Sequence, residues 1–182
     1  MPDLSRYRRS PPLSDSALVR PLPAASRHIL RGGPQVMLSA GTALGLTISD
    51  IACRAAQRAS RAALWLGPDE QLLLANESEG LEVAHVLARA LAGMPHSLVD
   101  ISHRQVALEV SGQPAQAALN VGCPLDLQIT EFQIGMCTRT LLGKADIILW
   151  RTGPQTFHIE VWRSFAQYVS RFLAEAAREL AC

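Results

Sequence analysis

Leu64-Trp65-Leu66-Gly67-Pro68 returns further along the chain as Leu149-Trp150-Arg151-Thr152-Gly153-Pro154, and that recurrence decides the fold. Each run is a strand ending in a Gly-Pro turn, followed by a returning strand. The first return covers residues 71–75 and the second residues 156–163. In the second, Phe157, Ile159 and Val161 alternate with His158, Glu160 and Trp162, the period-two signature of a half-buried strand. A helix closes each hairpin. The first spans about 79–92, with Val83, Ala84, Leu87 and Leu91 on its apolar stripe and Gly93 as its stop. The last carries Phe165, Tyr168, Val169, Phe172, Leu173, Ala176 and Leu180, and Ser164 and Gln167 have capping-box spacing at its start.

The recurrence extends upstream. A strand over 27–31 runs into Gly32-Gly33-Pro34, with Pro34 suited to a helix first turn. Met37, Ala40, Ala43 and Leu44 follow at helical spacing before the break Leu44-Gly45-Leu46-Thr47-Ile48. The second copy repeats this order. Residues 104–111 alternate as a strand, Gly112-Gln113-Pro114 turns the chain, and 115–120 gives a short helix that Gly122 can end in the left-handed conformation. Cys123-Pro124-Leu125-Asp126-Leu127 then stands where the first break stood. The copies are offset by roughly 80 residues, too long for a solenoid unit. The expected fold is therefore α+β, two duplicated β-α-β-β-α halves over about 25–95 and 96–182. One half is too small to be stable alone, so the two should pack as a single compact domain over 25–182. Residues 1–24, broken by Pro2, Pro11, Pro12, Pro21 and Pro23, are expected to form a flexible N-terminal arm, free or laid across a neighbour.

Composition limits the function classes. Of 182 residues, 48% are hydrophobic and 18% charged, so the chain can bury a core. Seventeen basic residues offset sixteen acidic ones for a net charge of +1, and aromatics are 5%. That gives neither the basic footprint nor the stacking platforms of a nucleic-acid binder. Near-zero charge with a mean hydropathy of +0.13 favours association with a permanent partner. There is no secretory signal near the start and no apolar run of about 20 residues, so a cytoplasmic protein without a membrane span is expected. Cys53, Cys123, Cys137 and Cys182 form no C-x-x-C pair and read as small buried side chains in a reducing compartment.

The candidate chemistry is sparse. Asp100-Ile101-Ser102-His103-Arg104 gathers a carboxylate, a hydroxyl, an imidazole and a guanidinium. Neighbours on a strand point to opposite faces, and no glycine-bounded elbow presents Ser102, so a nucleophilic site is disfavoured. A structural or interface cluster fits better, with Asp100 pairing Arg104 or capping backbone N–H groups. Cys123, before Pro124 and Asp126, follows a helix C-terminus, whose negative pole raises a thiol pKa. His28, His85, His96 and His158 make no metal-ligand spacing, and Gly32-Gly33 lacks a dinucleotide or P-loop fingerprint. Trp65 and Trp150 occupy equivalent strand positions and read as core. Trp162, beside charged residues, reads as an exposed interface anchor.

Taken together, several runs resemble the gamma subunit of heterotetrameric sarcosine oxidase. They are Val99-Asp100-Ile101-Ser102-His103-Arg104-Gln105, Leu108-Glu109-Val110-Ser111-Gly112, Gly122-Cys123-Pro124-Leu125-Asp126-Leu127, Ala63-Leu64-Trp65-Leu66-Gly67-Pro68-Asp69-Glu70 and Arg163-Ser164-Phe165-Ala166. The resemblance covers about residue 25 to the end. It implies a fold similar to the folate-binding aminomethyltransferase (T-protein) and a bacterial complex of alpha, beta, gamma and delta subunits. That complex oxidatively demethylates sarcosine to glycine and passes the one-carbon unit to tetrahydrofolate. The resemblance further implies FAD, FMN, NAD, tetrahydrofolate and zinc on partner chains, none on this one, and a gamma chain that is structural. Where the T-protein family carries a glycine followed by paired acids, this chain has Leu142-Gly143-Lys144-Ala145-Asp146, which argues against folate chemistry here. Two alternatives remain: a stand-alone folate-binding aminomethyltransferase-like protein, or the equivalent subunit of another N-methyl amino acid oxidase or dehydrogenase.

Overall fold

A computed structural model describes residues 18–180. Two five-stranded antiparallel sheets stack face to face, each with two helices on its outer side. The first half supplies β1 (Val19–Pro21), β2 (Ala25–Gly32), α1 (Pro34–Leu44), β3 (Ala55–Arg58), β4 (Arg61–Gly67), β5 (Glu70–Asn76) and α2 (Gly80–Ala90). The second supplies β6 (His96–Asp100), β7 (Gln105–Ser111), α3 (Ala115–Asn120), β8 (Cys137–Leu142), β9 (Ala145–Gly153), β10 (Thr156–Trp162) and α4 (Ala166–Leu180). The plan expected from sequence is present twice, with a further strand, β3 or β8, entering each hairpin.

The sheet orders are β3-β4-β5-β2-β6 and β8-β9-β10-β7-β1. The lead strand of each half thus completes the sheet of the other. Val19 pairs with Val110, and His28 pairs with Asp100. Of the stretch read as an arm, residues 1–17 lie outside the described residues. Val19–Pro21 is an edge strand, a place where a proline costs no ladder bond. Val19 is fully buried.

Alternation along the strands divides the core into three. Leu30, Ala63, Leu73 and Ala75 meet Val36, Ala40, Val83 and Leu87 of α1 and α2. Leu108, Val110, Leu149, Phe157, Ile159 and Val161 meet Ala118, Leu119, Val169 and Leu173 of α3 and α4. Between the sheets lie Leu64, Leu66, Leu72, Leu74, Cys137, Ile148 and Trp150. Each fully buried Leu or Phe contributes roughly 1.5–3 kcal/mol.

Local signals behave unevenly. Pro34 opens α1, and Gly45 closes it at φ +70. Gly122 does not take the left-handed conformation expected of it. A Cβ there would lie 2.6 Å from the Phe172 ring, so close packing against α4 requires the glycine. Ser164 is not a cap either: a 3-10 turn over Arg163–Phe165 leads into α4. That turn rotates Phe165 and Tyr168 outward, and Ala166, Val169, Ser170, Leu173 and Ala176 form the buried stripe. Arg151 is 2% exposed and anchors the long α3–β8 connection. It donates to the carbonyls of Leu127, Phe132, Gly153 and Pro154, which supplies the partners a buried cation requires.

Candidate functional site

The alternating strand β10 sends Phe157, Ile159 and Val161 to the helices and His158 and Glu160 inward, between the sheets. Along this face His158 is half-buried and Glu160 fully buried, and Trp162, read as exposed from sequence, is 43% exposed at the strand's end. Glu160 accepts from Arg27 Nε at 2.6 Å and Nη2 at 3.2 Å, across the gap from β2. His158 Nε2 lies 2.8 Å from Glu160 Oε1, the oxygen that also takes Arg27 Nη2. Burial alone would push Glu160 up, but the bonds and charges of His158 and Arg27 outweigh it and hold the carboxyl below its ordinary value. A second ionic bridge stands at the mouth. Glu70 on β5 takes Arg139 of β8 at 2.6 Å and Arg31 of β2 at 2.7 Å. Here too burial opposes and the two guanidiniums prevail, lowering the Glu70 pKa.

Between these bridges and the β6–β7 turn lies a cleft of about 690 Å³, lined from both sheets. Ile29, Ile101 and Ile148 supply apolar wall, and Arg104, Gln105 and Trp162 stand together on one side. The Arg104 guanidinium carbon sits 4.2 Å from the Trp162 ring centroid, a cation–π pair. Gln105 is 6% exposed, and its Oε1 has no hydrogen-bond partner among the described residues.

The sequence-derived cluster divides in two. Arg104 and Trp162 line this cleft, while Asp100 ends β6 and Ser102 to Arg104 lie in the turn that follows, not on a strand. Asp100 Oδ1 accepts from Ser102 N at 2.8 Å and Oγ at 2.6 Å, so the capping role holds and the pairing with Arg104 does not form. These bonds lower the Asp100 pKa. Ser102 Oγ also accepts from Arg27 N at 2.9 Å. Its hydroxyl thus ties β2 to the turn, and the exposed His103 takes no part in that network. His103 contributes its carbonyl, which accepts from Arg163 Nε at 3.0 Å. Cys123 belongs to the helix-side core, 3.8 Å from Thr140 Oγ1, while Pro124 and Asp126 are exposed. Asp126 turns the loop by accepting from Gln128 N at 2.9 Å. Cys137 is fully buried, and burial pushes its thiol up to about 12. Cys53 is half-buried, and Cys182 lies outside the described residues.

Among the described residues no three His, Cys, Asp or Glu side chains gather in a way that would hold a metal. No described helix is long and apolar enough to cross a membrane. Sequence reading missed Arg27, Glu70, Arg139, Glu160 as an inward acid, and Gln105. The only local signal for Glu160 and Gln105 was a polar residue at an alternating strand position.

This architecture, a duplicated α+β unit with its sheets stacked between helix pairs, defines the class of protein. It is the fold of glycine cleavage system aminomethyltransferase T from Bartonella henselae, at a TM-score of 0.66 and 13% identity over 85% of this chain and 44% of that one. Within that class the assignment is specific. The sarcosine oxidase, gamma subunit family matches residues 32–179, and the chain belongs to that family. It is 38% identical over 120 residues to the sarcosine oxidase subunit gamma of Corynebacterium sp. (strain P-1), covering 66% of this chain and 58% of that one. It is 33% identical over 163 residues to the subunit gamma of Arthrobacter sp., covering 90% and 75%. A chain of the heterotetrameric sarcosine oxidase from Corynebacterium sp. U-96, solved with pyrrole 2-carboxylate, matches at a TM-score of 0.84 and 30% identity, covering 90% of this chain and 85% of that one.

Proposed function

We propose that this chain is the gamma subunit of a heterotetrameric sarcosine oxidase and acts there as a structural, assembly-holding subunit. The observation that carries the reading is the TM-score of 0.84 over 90% of the chain to a heterotetrameric enzyme of that kind. The local geometry supports a structural role. The Ser102 hydroxyl is spent on Asp100 and on the backbone of Arg27, and the Glu70 and Glu160 carboxylates of the cleft are spent on guanidiniums. FAD, FMN, NAD, tetrahydrofolate and zinc belong on the alpha, beta and delta partners in this reading. The partner-facing surface includes Trp162 with its stacked Arg104, beside Val99 and Leu141, exposed at 49% and 45%. Aromatic and arginine anchors with apolar neighbours are what interface centres are made of.

The test is co-purification from the native source through a tag on this chain. Flavoprotein chains and a visible flavin spectrum are the expected result. A monomer free of flavin whose melting temperature rises with tetrahydrofolate would overturn the proposal and favour a stand-alone folate binder.

A further inference from the structure

The four edges of the two sheets are not treated alike. β3 and β8 are tied together just before they begin, by the bridge between Arg54 and Met136. Cys137 N donates there to Cys53 O at 2.9 Å and Ala55 N to Gly135 O at 2.8 Å. β1 is only three residues long and ends in Pro21, which has no N–H to offer a further strand. The fourth edge, β6, carries no such device. No proline or bulge interrupts His96–Asp100 in its pairing with β2. Ile101 N donates to Arg27 O at 2.9 Å, and counting back along the register puts Val99 and Ser97 in the hydrogen-bonded pairs with β2. The N–H and C=O groups of Leu98 and Asp100 therefore point away from the sheet, where no described strand meets them. An open edge of this kind is a template for one more strand.

What lies beside the edge selects its occupant. Val99 is 49% exposed and lines the cleft mouth with Trp162. Just past β6 stand Arg104 and Arg163, both exposed and joined by Arg163 N donating to Arg104 O at 2.9 Å. Among the described residues neither has a carboxylate at ion-pair distance. The one acid of β6, Asp100, is already held by Ser102, so a second copy of β6 would bring no free carboxylate to them.

We propose that β6 is a docking edge, to which another chain of the oxidase adds an extended strand. That strand pairs with Leu98 and Asp100, lays an apolar side chain beside Val99 and sets an acidic one against Arg104 and Arg163. The inference rests on the assembly role proposed above and names the contact through which that role works.

The test uses the complex as it forms in the native source, captured through a tag on this chain. Leu98→Pro deletes an outward N–H without removing a bond to β2, whereas Leu98→Ala shortens the side chain and keeps the N–H. Leu98→Pro should lower the flavoprotein chains recovered per tagged chain about tenfold, and Leu98→Ala less than about twofold. Arg104→Gln combined with Arg163→Gln should lower recovery in low-salt buffer only. Because Leu98→Pro could fail to fold, hydrogen exchange of the unmodified chain supplies a second measure. The amides of Leu98 and Asp100 should exchange quickly in the free chain and slowly in the complex. Full recovery with a folded Leu98→Pro, or exchange at Leu98 and Asp100 that is unchanged by assembly, overturns the docking edge and leaves the assembly role standing. Absence of flavoprotein chains with the unmodified chain overturns the role and the edge together. Recovery of untagged copies of this chain alone, with those amides slowed, overturns the partner strand in favour of a self-paired edge.

Discussion

The two ionic bridges between the sheets use the same chemistry in opposite surroundings. Arg27 and Glu160 have side chains 2% and 0% exposed, whereas Arg31 and Arg139, which share Glu70, are 58% and 51% exposed. In the dry bridge Glu160 has only Arg27 and His158 to offset its charge, and no water stands in for the guanidinium if it is lost. In the wet bridge the guanidiniums keep hydration on one side, so the carboxylate organises them without being indispensable. The molecule therefore fixes the alignment of its sheets at one buried point and lets the other bridge flex at the cleft mouth.

Removing one charge from the dry bridge should break this contrast most visibly. Glu160→Gln leaves the Arg27 guanidinium buried against a neutral amide and should cost about 3–5 kcal/mol in urea unfolding. The paired replacement Arg27→Met with Glu160→Leu should recover most of that loss. Glu70→Gln, by contrast, should cost only about 1 kcal/mol. Equal losses at the two sites would sink the distinction between them.

Acidification sharpens the comparison with a smaller effect. His28 lies below its ordinary 6.5 because burial disfavours its charge, an effect Asp100 only partly offsets. Glu70 and Glu160 lie below 4.5. A depressed folded-state pKa means the unfolded chain takes up the proton first, so stability present at higher pH is lost on acidification. Thermal melts should be flat from pH 6.5 up to the ordinary thiol value of 9.0, above which the raised Cys137 thiol costs stability. They should fall below 6.5, where the unfolded chain protonates His28 first, and fall more steeply below 4.5. Glu70→Gln should soften the lower limb and leave the upper one unchanged. A melting temperature that rises between pH 6.5 and 4 would contradict the assigned directions.

The smallest effects are expected away from both bridges. Ser102→Ala removes the tie from the turn to β2, and Cys123→Ala leaves a small void under α4. Each should cost roughly 1 kcal/mol and leave turnover per assembled complex nearly unchanged. A loss of several orders of magnitude in turnover with assembly intact would assign one of them a catalytic role.

The sequence showed the duplication because the central strands and closing helices carry their own periodicity. Val106, Leu108 and Val110, or Val83 and Leu87, have their faces dictated by nearby residues. The strands missed in that reading are edges. His96–Asp100 is exposed or half-exposed throughout, so it shows no alternation and gains its conformation from β2. Ala55–Arg58 and Cys137–Leu142 likewise take their register from β4 and β9. Of the candidate site, the cluster from Asp100 to Arg104 was legible because its members are neighbours. The inward aim of Glu160 was not, since its partner Arg27 lies 133 positions away. Gln105 was hidden for a similar reason: only the opposing sheet shows that its side chain is enclosed.

The exchange of lead strands has a consequence for the order of synthesis. Val19 leaves the ribosome 91 residues before Val110, the residue it pairs with. Val19–Pro21 must wait unpaired, with Val19 uncovered, until the second half has emerged. Contacts of such separation slow folding, because the loop they close must be ordered before they form. Translation of β7 is therefore the earliest moment at which Val19–Pro21 can be put away.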